Sequence, residues 1–175
     1  MRKKIDLENL PDASYELLNM INEKDAVCVL IGAAFVDNLI TSLLLQKLGG
    51  SKVAEDLLST NGALGPYASR AALSYCLKII EKNRYDDILT IGKIRNRFAH
   101  SFFGLSFNEP DIQSLCNCLK EWRNIIGDEI YRDPSNLTSE ELCERVKIKF
   151  INSVTYLSIG IMKDAGLKFN PPEAN

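Results

Sequence analysis

Histidine is all but missing from this sequence: His100 stands alone among 175 residues, so any imidazole chemistry has a single candidate. Five cysteines (Cys28, Cys76, Cys116, Cys118 and Cys143) form an odd set without one Cys-x-x-Cys pair, which excludes a zinc ribbon and argues against a disulfide framework. They read as reduced, mostly buried thiols. Cys116 and Cys118, two apart on an expected helix, point to different faces and so do not make a metal or redox pair. A surplus of positive charge is lacking too: 21 Lys and Arg face 23 Asp and Glu, for a net charge of -2. A protein that coats phosphates needs clustered cations, so broad nucleic-acid binding is disfavoured. The basic start Met1-Arg2-Lys3-Lys4 runs into Asp6 and Glu8 rather than an apolar stretch, and reads as no signal peptide. The longest apolar run, Ala26 to Val36, stops at Asp37 and Asn38, short of the ~20 residues that span a bilayer. A cytoplasmic protein without a membrane segment is expected, and no residue set calls for a metal or a cofactor.

Prolines (six) and glycines (ten) are few, and 46% of residues are hydrophobic, so the chain should fold around one core and bury roughly 70% of its unfolded surface. Helical periodicity alternates with short punctuation, and no run of alternating polar and apolar residues suggests a sheet. The fold class is all-α: a single helical bundle of six to seven helices over residues 1–175, with a loose tail from about 168. A first helix is expected from Asp12 to Asn22. A very apolar one follows from Lys24 to Leu48, ended by Gly49-Gly50 and central by its composition. A helical turn over Lys52 to Leu58 leads to a loop at Ser59–Pro66, then helices from Tyr67 to Ile80 and from Arg84 to His100, the latter with Ile88, Ile91, Ile94 and Phe98 on one stripe. Asn108 should cap a long helix through Trp122, a core or interface residue, towards Tyr131, with Pro134 as its breaker. Thr138 and Glu141 spell a capping box for a last helix that ends at Gly166.

Two stretches carry a resemblance. Gly65-Pro66-Tyr67-Ala68-Ser69-Arg70-Ala71-Ala72-Leu73-Ser74-Tyr75 is one; Ile94-Arg95-Asn96-Arg97-Phe98-Ala99-His100-Ser101, followed by Leu105-Ser106-Phe107 and Asp111-Ile112, is the other. In both, the sequence resembles the mannitol operon repressor family over its middle third. That resemblance implies an all-helical transcriptional regulator without a DNA-reading module, acting through a protein partner. This sequence likewise has no short helix pair whose second member presents several base-reading Arg, Asn or Gln residues, so specific DNA binding by the chain alone is not expected. A homo-oligomer is.

The segment Arg95-Asn96-x-x-x-His100 also resembles the signature of the small helical domains grouped as HEPN, some of which cleave RNA without a metal. There the resemblance implies an imidazole that moves a proton and a guanidinium that steadies phosphate charge, which suits both groups. RNA would be the substrate only in that alternative. At ~100° per residue, however, five positions separate Arg95 from His100 by about 140° around the helix axis. Arg95 falls beside the isoleucine stripe; Lys93, Asn96 and His100 fall opposite it. Arg97 and His100 also sit in a last helical turn, where positive charge is stabilising in any protein. A partly buried Arg95 needs a carboxylate, and Asp37, which interrupts the most apolar helix beside Asn38, Thr41 and Ser42, is the candidate partner. Arg70, four residues after Pro66, is the alternative for that role, or for holding an anion at its helix start. Gly65 and Pro66 read as a structural turn, with Ser69 in the first turn beyond.

Overall fold

The computed structural model describes residues 17–101, 104–121 and 137–166. Among these every regular element is helical: a 3-10 helix at Leu17–Asn22, then α1 (Asp25–Lys47), α2 (Lys52–Leu58), α3 (Tyr67–Cys76), α4 (Lys82–Ala99), α5 (Pro110–Asn117) and α6 (Ser139–Asp164). Helix α1 is apolar on nearly every side and lies at the centre, packed by α3, α4, α6 and the 3-10 helix. Gly49 and Gly50 follow it with φ of 77° and 64°, a left-handed region that glycine enters without strain. Gly32, midway along α1, lets α6 approach closely: a Cβ there would stand 3.3 Å from the Phe150 ring. The stripe Ile88, Ile91, Ile94 and Phe98 faces the same core from α4. Phe107, fully buried between α4 and α6, has its ring 5.7 Å from those of both Phe98 and Phe150. Helix α6 opens as its sequence spells: the Thr138 hydroxyl accepts the Glu141 N–H, and the Glu141 carboxylate accepts the Thr138 N–H at 2.8 Å.

By length and apolarity alone α1 could cross a bilayer, since the helix continues past Asp37 where the unbroken apolar run stops. Half of its most apolar window is buried inside the bundle, as in a core helix.

Several boundaries differ from the sequence expectation, among them the start of α4, at Lys82 rather than Arg84. Helix α3 stops at Cys76 instead of Ile80, because Lys78 turns left-handed (φ 56°) and the N–H groups of Lys78 and Ile79 close back onto Tyr75 and Ser74. Glu109, not Asn108, precedes α5, whose first residue Pro110 has no N–H to lose; the Asn108 N–H turns instead to the Ser106 hydroxyl. That helix also ends at Asn117 rather than running on to Trp122. Buried Asp87 of α4 is the cause. Its carboxylate accepts the N–H groups of Lys120 and Glu121 at 2.9 to 3.0 Å, and those are the donors a continuing helix would have used. Two cysteines correct the expectation of buried thiols: Cys28 and Cys116 are buried, but Cys76 and Cys118 are exposed. Residues 1–16, Trp122 and Pro134, and the segment from 167 on lie outside the described residues.

Burial pushes the Asp87 carboxyl up to about 6 against the pull of its N–H donors, which act the other way. An ordinary Asp titrates near about 3.9, so the folded state holds this proton more tightly than the unfolded chain does. The resulting stabilisation is complete below about pH 4 and is lost as pH rises to about 6. Asp87→Asn removes it. The stability of the wild type relative to this variant, read from urea melts, should fall between pH 4 and 6 by up to about 3 kcal/mol; a difference that grows with pH would contradict the assignment.

Candidate functional site

Arg70 is the largest fully buried side chain among the described residues, 1% exposed at the start of α3. Its Nε lies 2.9 Å from Asp37 Oδ1, and Nη2 lies 2.5 and 2.8 Å from the two Asp37 oxygens. The remaining nitrogen, Nη1, donates to the carbonyls of Leu64, at 2.9 Å, and Gly65. All three guanidinium nitrogens, which together carry five N–H donors, are thus engaged by acceptors. The loop is shaped to deliver its carbonyls: a Cβ on Gly65 would meet the Thr60 carbonyl at 2.4 Å, so only glycine closes this turn. Gly65 and Pro66 are therefore the acceptor side and the helix-start side of one ion-pair lock. Ser69, half-buried, bonds through its N–H to the Pro66 carbonyl at the helix start. Arg70 does not hold an anion in this arrangement, because its donors are spent on Asp37 and the loop.

The expected pair of Asp37 with Arg95 is thus corrected, since the fully buried guanidinium that Asp37 meets in two-point geometry is that of Arg70. Periodicity along α4 ranks the faces of that helix but does not say which residue of α3 stands opposite α1. Arg95 is half-buried and lies over the Tyr67 ring, 5.7 Å from its centroid, a cation–π distance. Tyr67 sits tight against α4: a Cβ on Gly92 would stand 2.8 Å from the ring. Its buried hydroxyl has no hydrogen-bond partner among the described residues, and burial together with the Asp37 carboxylate pushes the phenol well up, opposed by Arg95 and Arg70.

Asn96, Arg97 and His100 open elsewhere. The three line a cleft of about 590 Å³ with Ser101, Leu105, Glu109 and Asp111, at the corner where α4 ends and α5 begins. His100 is the residue that ends α4, exposed, its N–H bonded to the Asn96 carbonyl at 3.2 Å. Arg97 pairs with Asp111 across the cleft, with both side chains substantially exposed. The loop wall is fixed from behind, because the Phe107 N–H donates to Asp25 Oδ2 at 3.0 Å while its ring fills the core. Arg95 is not among the lining residues, so the two halves of the Arg-x4-His signature face different surroundings. Glu109, Asp111, Leu105 and Tyr67 were not singled out as site residues in the sequence. Asp111 and Leu105 stood in the family-like stretches, but their partnership with α4 comes from the fold of the intervening loop.

No protein-family model matches the chain, and no curated protein matches it in sequence. Among solved structures, a chain of the X-ray structure of the MtlR–HPr complex from Escherichia coli is similar to this one. The TM-score is 0.66 at 19% identity, over 85% of this chain and 97% of that chain. The two share an all-helical fold.

Replacing Arg70 by Met should lower stability by roughly 3–5 kcal/mol, because it takes the buried guanidinium away from the Asp37 carboxylate, 18% exposed, and leaves two loop carbonyls without their donor. Adding Asp37→Leu should restore a large part of that loss. Urea denaturation of the two variants reads both effects; a single Arg70→Met variant as stable as the wild type would show that the pair contributes nothing.

Proposed function

We propose that this chain is a helical regulator that works by docking a protein partner, and that it does not act as a nuclease. The observation that carries the reading is the separation of the signature: His100 lies in an open cleft while the Arg95 guanidinium is held over Tyr67. General acid–base work on a phosphodiester needs both groups within hydrogen-bond reach of the same phosphate. Fold likeness to a chain of the MtlR–HPr complex adds support from a different direction, since in that complex the neighbour is assembled with HPr. It fits the mannitol operon repressor-like motifs around Arg70 and His100, and it makes HPr the first partner to try. The regulated process is transcription. The partner supplies the DNA reading, in keeping with a net charge of -2. Self-association in the cytoplasm completes the reading. The outer side of α1 supports it, because exposed Leu30, Ile31 and Ala34 follow one another there without a charge between them.

The test sets the two functions side by side. Calorimetric titration of the chain with HPr should show saturable binding, and the chain should leave single-stranded RNA intact in the presence of a chelator. Chelator-resistant cleavage that vanishes in both Arg95→Ala and His100→Ala would overturn the regulator reading in favour of a metal-independent ribonuclease.

A further inference from the structure

Arg95 is a cation without a carboxylate. Arg70 meets Asp37, Arg84 meets Glu121 and Asp164, and Arg97 meets Asp111. Half-buried Arg95 meets no acid among the described residues and rests instead on the face of the Tyr67 ring. A cation–π contact engages the charge of a guanidinium but not its N–H donors, which stay available to an acceptor. A second observation comes from the ring itself. The Tyr67 hydroxyl is buried and has no hydrogen-bond partner among the described residues, although an unmatched buried hydroxyl is destabilising. Burial and the Asp37 carboxylate push this phenol up, so it stays protonated and can donate.

The charged groups that act on the hydroxyl are Asp37 from α1, Arg70 from α3 and Arg95 from α4. Asp37 and Arg70 neutralise each other in their two-point pair, which leaves the charge of Arg95. The start of α3 has the same sign: Tyr67 is its first residue, and its opening turn holds no acidic residue and no side-chain cap. The negative end of α4 lies beyond Ala99, past the single turn over which a helix end acts.

We propose that Arg95 and the Tyr67 hydroxyl form a seat for one carboxylate, an Asp or Glu side chain of the docked protein partner. The assignment rests on the docking reading above and narrows it to an acidic contact residue. A guanidinium offers two parallel N–H groups that match the two oxygens of a carboxylate, and the phenol O–H adds a further donor. A nucleic acid suits the place less well. Lys93 and Arg97, two positions to either side of Arg95, stand about 160° around α4 from it, so no row of cations follows a phosphate backbone. The seat is set before its guest arrives. Gly92 lets Tyr67 lie tight against α4, and the Arg70–Asp37 pair holds the start of α3 on α1, so little ordering is left for binding to do.

The experiment titrates the intact, isotope-labelled chain with N-acetyl-glutamate amide, its neutral isostere N-acetyl-glutamine amide, and a single-stranded oligoribonucleotide. The Arg95 Nε–H and the Tyr67 backbone amide report binding. The glutamate probe should shift both signals saturably with one midpoint, and the other two probes should not. Arg95→Gln, read from the Tyr67 amide, should lose the response. Tyr67→Phe, which removes only the hydroxyl, should weaken the glutamate probe roughly two- to tenfold. An equal response to the glutamine probe, saturable binding of the oligoribonucleotide at these signals, no saturable shift with glutamate, or an affinity unchanged in either variant would each overturn the assignment. Calorimetry with the protein partner separates the two claims: partner binding without a glutamate response removes the carboxylate seat alone, whereas a glutamate response without partner binding removes the docking reading and leaves the seat.

Discussion

A single buried guanidinium fixes how this chain is put together. Arg70 is surrounded by the most apolar helix of the protein, by its own helix and by the loop that precedes it, and the acceptors it meets come from the first and the last of these. Taking a guanidinium out of water costs several kcal/mol, and the cost is offset only when every donor is met. Asp37, the one charged residue in the interior of α1, has a matching need. Each therefore determines where the other can sit: α3 crosses α1 at Asp37, and the Ser59–Pro66 loop is folded so that two carbonyls point inward. Gly65 is a consequence of that demand, not an independent feature of the loop.

From this lock follows the fate of the Arg-x4-His signature. Once α3 is seated against α1, Tyr67 is presented to α4 at Gly92, and Arg95 comes to rest over its ring. The same helix ends five residues later on the opposite side, where His100 meets the α5 corner. One short motif thus supplies two unrelated places, a packed aromatic–cation contact within the bundle and an open cleft at its edge. The local sequence is compatible with phosphodiester chemistry; the positions of Tyr67 and Asp111 divide it.

Much of the architecture could be read directly from residue order. The capping box at Thr138, the glycine pair after Lys47 and the isoleucine stripe of α4 are local signals, because each depends on neighbours within one or two helical turns. Where the expectation failed, the deciding group lay far away in sequence. Helix α5 stops at Asn117 because a carboxylate 33 residues upstream captures the N–H of Lys120. Asp37 finds Arg70, also 33 residues away, for a reason that no periodicity encodes. The candidate site divides along the same line. The angular separation of Arg95 and His100 was legible from a count along one helix, whereas the cleft needed α5 and its loop to be in place, and Glu109 carries no signal of its own until they are.

The central claim is that Arg95 and His100 do not act on one ligand. Because His100 is the only histidine, its ring carbon gives one unambiguous nuclear magnetic resonance signal. The Arg95 side-chain Nε–H can be assigned by comparison with Arg95→Lys. Adding a single-stranded oligoribonucleotide while both signals are followed tests the claim directly. The account predicts that neither signal moves saturably. Joint saturable shifts of the His100 ring and the Arg95 guanidinium, with one common midpoint, would contradict it.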